Sequence, residues 1–185
     1  MKTLLAAARK FSLFFAVVFL ALLAAPAVAA DAGSGTFVGT IDKKPVSITF
    51  KEAYAFRAEG SRKEQQIVVY LTDKPIDKAA MTAALKKQRK ASALTFGSFL
   101  DGMAKAKLEI VDGKVTYLYL FSPPGFNLNL SGFDLSDLGK SDIKVNTAKR
   151  VEGRFFSDAT NKGGAGKIDL RFAVDLADIG APVEN

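Results

Sequence analysis

From Thr36 onward the chain alternates apolar and polar residues with period two, and Gly, Pro, Asp and Asn punctuate the alternation. That pattern predicts β-strands with one buried face. The first covers Thr36 to Ile41 and turns at Asp42, Lys43 and Lys44. Val46, Ile48 and Phe50 then alternate with Ser47, Thr49 and Lys51, and the same parity resumes at Tyr54 and Phe56, so a bend or bulge is expected near Glu52. Gln66 to Thr72 is apolar on both faces, which predicts a central strand covered on both sides. Lys107 to Val111 and Lys114 to Phe121 flank Asp112-Gly113, the strongest hairpin signal in the chain. Val115, Tyr117, Tyr119 and Phe121 read as one face of its second strand, opposed to Leu118 and Leu120. Asp142 to Thr147, Arg150 to Ser157 and Lys167 to Ala177 complete the set. In the last, Ile168, Leu170, Phe172, Val174 and Leu176 alternate without a break.

Residues 77–91 depart from this pattern: they are rich in Ala, Met, Leu, Lys, Gln and Arg, and Met81, Ala84, Leu85 and Gln88 recur at helical spacing. A short accessory helix is expected there, with Asp77 as its N-cap, lying across a sheet edge or barrel mouth on its narrow apolar face. Ala93 to Lys105 reads as a partly helical crossing loop. Phe126 to Ser141 reads as a long loop pinned by its spaced Phe and Leu, and Asp158 to Gly166 as a glycine-rich tip. No repeat of fixed period is present. The predicted fold class is mostly β, an antiparallel β-sandwich or barrel of about eight strands with one short helix.

The N-terminus changes the picture of where this fold operates. A basic start with Lys2, Arg9 and Lys10 precedes an apolar stretch from Phe11 to Ala25 and the small residues Ala27, Ala29 and Ala30. Those are the three regions of a cleavable signal peptide, so residues 1–30 are expected to be removed near Ala30, with residues 31–185 forming a single β-rich domain. The alternative is a retained anchor, since Phe11 to Ala30 approaches the ~20 apolar residues that span a bilayer. With cleavage, no stable membrane span is expected, and the location is the periplasm or the cell exterior.

Charge follows from the same cut. Residues 1–30 hold three of the 26 basic residues and none of the 19 acidic ones, so the net charge falls from +7 to +4 in the mature chain. That value is ordinary solubility and gives little support to a nucleic-acid or polyanion partner, and export points further away from nucleic acid. The chain has no Cys, and its length is sufficient to fold on a core without disulfides.

It also has no His, so Ser-His-Asp and Cys-His catalysis and nitrogen or sulfur ligation of zinc are excluded. Ser141-Asp142-Ile143-Lys144 matches S-x-x-K in form, but reads as a strand and lacks the companion motifs. Asp134, Asp137 and Asp142 are oxygen donors without the spacing of a calcium loop. Gly163-Gly164-Ala165-Gly166-Lys167 resembles a phosphate loop only loosely, because Ile168 stands where a hydroxyl must meet magnesium. Asn129-Leu130-Ser131 is a glycosylation acceptor pattern, meaningful in a eukaryotic secretory route. No cofactor is implied.

These readings point to an exported, non-enzymatic binding or interaction module whose partner is a protein or a small apolar ligand. The 15 Phe and four Tyr motivate a second reading, a lipocalin-like carrier of an apolar ligand. A third is a carboxylate-dependent hydrolase of envelope glycans. The candidate contact residues are the loop aromatics Phe126 and Phe133 and the basic run Lys86, Lys87, Arg89 and Lys90. Cations at a helix C-terminus also complement its dipole, which is the plainer role for the basic run.

Overall fold

A computed structural model describes residues 32–41, 44–60, 63–87, 99–131, 135, 139–158 and 166–180. The expected signal peptide, Arg89, Lys90, Phe133 and most of the glycine-rich tip lie outside the described residues.

The described chain is mostly β, with ten strands in one open sheet and one short helix. The strands are β1 Ala32–Ile41, β2 Lys44–Phe50, β3 Glu52–Glu59, β4 Gln65–Thr72, β5 Lys105–Val111, β6 Lys114–Ser122, β7 Phe126–Ser131, β8 Lys140–Asn146, β9 Arg150–Asp158 and β10 Lys167–Ala177, and the helix α1 is Lys78–Lys87. The strand count corrects the expected eight, for two reasons. The segment read as a single interrupted strand divides at Lys51 into β2 and β3. The segment read as a loop begins with β7, whose alternation is carried by Asn rather than by charged residues.

The order along the sheet is β2-β1-β10-β3-β4-β5-β6-β7, with β9 on the other side of β10 and β8 beyond it. Every pairing is antiparallel except the short parallel contact of Leu176 and Ala177 with Ala55 and Phe56. β10 is the link: residues 167–173 pair with β1, residues 167–175 with β9, and its last two with β3. The sheet folds over on itself. Phe37 on β1 stacks against Phe126 on β7, and the Val115 N–H on β6 donates to Ser141 Oγ on β8 at 3.2 Å.

The main core fills the interior of this fold. Phe37, Phe50, Leu71, Leu108, Leu118, Leu120, Phe155 and Leu170 are all buried within it. β3 crosses close to β1 at Gly33: a Cβ built there would stand 2.6 Å from Ala53 Cβ and 2.7 Å from the Glu52 carbonyl oxygen. Glycine's missing side chain is what permits that approach.

A second, smaller core lies on the outer face of β3 and β4. Tyr54, Phe56, Ala58, Val68 and Tyr70 are roofed there by Met81 and Leu85 of α1 and by Leu100. Asp77 caps the helix as expected, its Oδ1 accepting the Ala80 N–H at 2.9 Å. The roof makes β4 apolar on both faces, as its composition foretold. It also explains why the parity reading across Glu52 fails: Phe50 faces the main core, but after the corner Ala53 and Ala55 face it, while Tyr54 and Phe56 face the helix. The helix therefore covers a sheet face and not an edge or mouth.

Candidate functional site

The hairpin of β5 and β6 turns where the sequence places it, with Asp112 at φ 48° and Gly113 at φ 72°. Both central residues at positive φ are what a two-residue hairpin requires. Three residues later the pairing shifts: Ile110 is opposite Val115, but Glu109 is opposite Tyr117, so Thr116 is the extra residue of a bulge. The bulge reverses the parity of β6. Val115 joins Leu118 and Leu120 in the main core, and Tyr117, Tyr119 and Phe121 emerge on the outer face, half-buried.

The registers arrange that outer face in three rows across β4 to β7. They run Val68, Glu109, Tyr117, Ser131; then Tyr70, Lys107, Tyr119, Asn129; then Thr72, Lys105, Phe121, Asn127. α1 covers the β4 end of the rows, burying Val68 and Tyr70. The β5 and β6 side chains are half-buried and the β7 side chains exposed.

The lysines lie along the rings. Lys105 Nζ is 4.9 Å from the centroid of Phe121, and Lys107 Nζ is 5.3 Å from that of Tyr117 while pairing with Glu109 Oε1 at 2.6 Å. Ammonium groups over ring faces gain from the ring quadrupole and keep their apolar stems against the sheet. Burial beside the aromatic row holds the Lys105 ammonium below the usual lysine range, with Asp101 opposing. Burial and the Glu109 carboxylate push the Tyr117 phenol up, against a hydrogen bond with the Asn129 side chain. The Tyr70 phenol beneath the helix is pushed up further, chiefly by burial. The surface presents rings, ammonium donors and carboxamides on one face of the sheet, a composition suited to contact and orientation of a partner.

Of the candidate residues read from the sequence, Phe126 opens β7 and turns inward, half-buried, its ring 5.2 Å from that of Phe37 and inclined by 20°. Lys86 and Lys87 are exposed in the last turn of α1. They stand on the helix over the outer side of β3 and β4, so the fold does not bring them together with Phe126. Sequence reasoning missed Tyr117, Tyr119 and Phe121 as a surface. The polar alternation of Lys105, Lys107 and Glu109 marks their own side of β5 as outward, but the plain register of the Asp112-Gly113 turn sets them opposite Leu120, Leu118 and Thr116 and not opposite the rings. Without the Thr116 bulge, the same alignment would send the rings inward.

A second feature is a cavity of about 400 Å³ beside the β10–β3 contact, lined in part by Arg57, Gln65, Lys149 and Asp178. Arg57 Nη2 donates to the Thr147 carbonyl oxygen at 2.7 Å, tying β3 to the β8–β9 turn. Among the described residues no group of three or more acidic side chains is placed to hold a metal ion, and no helix is long and apolar enough to cross a membrane. Comparison with protein-family models, with curated proteins and with solved structures finds no match to this chain.

Proposed function

We propose that this chain is an exported β module that acts by binding a macromolecular partner in the periplasm or outside the cell, through the outer face of β5, β6 and β7. The N-terminal pattern of residues 1–30 supports export. One observation carries the binding reading: the aromatic row Tyr117, Tyr119, Phe121, set between Lys105 and Lys107 on one side and Asn127 and Asn129 on the other. Tyrosine and other aromatics concentrate binding energy at contact surfaces, because they bring large area with few rotatable bonds. The same sheet face is roofed by α1 over β3 and β4. In architecture, the folded-over sheet acts as two layers around the main core, with its outer faces left for contact. Phe37, Phe50 and Phe155 are buried in that core, where packing the interior is sufficient reason for them.

The test is site-specific photo-crosslinking in the source cell. A benzoylphenylalanine at position 119 is expected to give a discrete adduct on the exported, processed chain, and the same probe at position 47 on β2 is expected to give none. Adducts of equal yield from both positions, or none from position 119, would remove the assignment of this face. Confinement of the chain, with its N-terminus unprocessed, to the cytoplasmic fraction would remove export.

A further inference from the structure

Among the described residues, β2, β7 and β8 each pair on one side only, so three strands present an open edge. An open edge is a template for another strand, and folded proteins blunt it with charge or proline. Two of the three are blunted. β2 begins with Lys44 and Pro45, and β8 carries Lys140, Asp142 and Lys144. β7, with the sequence Phe-Asn-Leu-Asn-Leu-Ser, carries neither.

We infer that the β7 edge pairs with the β7 edge of a second copy of this chain, antiparallel across a two-fold axis at Asn129. The occupant follows from self-complementarity. Directly opposite residues of an antiparallel pair share a face. About an axis at Asn129, the outer face matches Asn129 with Asn129 of the second copy and Asn127 with its Ser131, while the inner face matches Leu128 with its Leu130. A carboxamide thus meets a carboxamide at the axis and a hydroxyl on either side of it, all on the exposed face. On the inner side, half-buried Leu128 meets a buried leucine. No charge in β7 opposes the pairing, whereas a self-paired β8 would bring its lysines and aspartate into the seam. An isologous contact of this kind uses up both edges and closes at two chains.

The pairing goes beyond the binding reading and does not depend on it. Its consequence for that reading is geometric: the row Tyr70, Lys107, Tyr119, Asn129 continues into the second copy, placing the two aromatic rows three strand spacings, about 14 Å, apart on one continuous face.

The test uses the absence of cysteine. Sedimentation of the protein purified after expression of the full chain is expected to show twice the chain mass. Asn129→Lys, which sets two like charges opposite each other, is expected to shift it to monomer at the same loading, and Asn129→Ser to leave it dimeric. Asn129→Cys is expected to give a disulfide-linked dimer under mild oxidation, since directly opposite positions fall within disulfide reach, while Ser47→Cys on β2 is not. The cysteine arm keeps the inference falsifiable if Asn129→Lys fails to fold. A monomer up to the solubility limit, with no disulfide link specific to the Asn129→Cys variant, would overturn it, as would an open-ended ladder of masses. Either result leaves the crosslinking outcome at position 119 to judge the partner reading separately.

Discussion

The rings of Phe37 on β1 and Phe126 on β7 stack with centroids 5.2 Å apart, although six places separate their strands along the sheet. The contact exists only because the sheet folds over, so it reports closure of the main core directly. Phe37 is buried and Phe126 half-buried. Phe37→Ala is expected to cost about 4 kcal/mol and Phe126→Ala about 2 kcal/mol in urea unfolding. A double-mutant cycle should return a coupling of about 0.5 to 1.5 kcal/mol, the range for an aromatic pair in contact. Additive losses would mean that the stack does not contribute in solution.

Gly33 should tolerate no side chain. A Cβ there meets Ala53 Cβ at 2.6 Å and Glu52 backbone at 2.7 Å, and a strand cannot move aside without disturbing two ladders. Gly33→Ala is therefore expected to destabilise by about 2 kcal/mol. Gly125→Ala is the contrast: nothing lies within 4 Å of its Cβ. It should leave stability within about 0.5 kcal/mol or raise it slightly, by restricting the unfolded chain.

Alkaline pH should loosen the seat of α1. The Tyr70 and Tyr54 phenols are held above their ordinary value of 10.0, first by burial, with Glu109 adding at Tyr70 and a Thr82 hydrogen bond opposing at Tyr54. A raised folded value means that the unfolded chain ionises first. The stabilisation is thus complete below pH 10.0 and is lost as the pH climbs toward the folded value. Tyr70→Phe is expected to move the alkaline unfolding midpoint upward, read as the pH at which half the chain is unfolded relative to the parent. An unchanged alkaline midpoint would place the sensitivity elsewhere.

Acid should act on the β9–β10 pair. Arg154 grips Asp169 through Nε to Oδ1 at 2.7 Å and Nη2 to Oδ2 at 2.8 Å, with Arg171 adding at 3.5 Å. The Arg154 hydrogen bonds hold the Asp169 carboxyl below its ordinary 3.8. A depressed folded value contributes stability above pH 3.8 that is lost as the pH falls through it. Asp169→Asn should be less stable than the parent at neutral pH by an amount that shrinks in high salt, and the two proteins should converge in acid. A gap that persists at low pH would mean that Asp169 acts through packing.

How much of this fold is legible in the sequence depends on how local each cause is. Asp77 as a cap, the Asp112-Gly113 turn, the double-sided burial of β4 and the regular face of β10 were all legible, because each is written in neighbouring residues whose backbone preference and apolar spacing agree. β7 was not, since Asn in place of charge made its alternation look like a loop.

What the chain alone determined is therefore its class: a cysteine-free β fold with one capped helix, set by period and turn chemistry that act over a few residues. What only the tertiary structure decided is which way each strand faces. The corner at Lys51 and the bulge at Thr116 each reverse parity by one residue, and a one-residue slip moves every following side chain to the other face of the sheet. Tyr54 turned toward the helix, Tyr117 turned outward and Phe126 turned onto Phe37 all follow from closing a folded-over sheet around one core, a constraint that no local stretch of sequence carries.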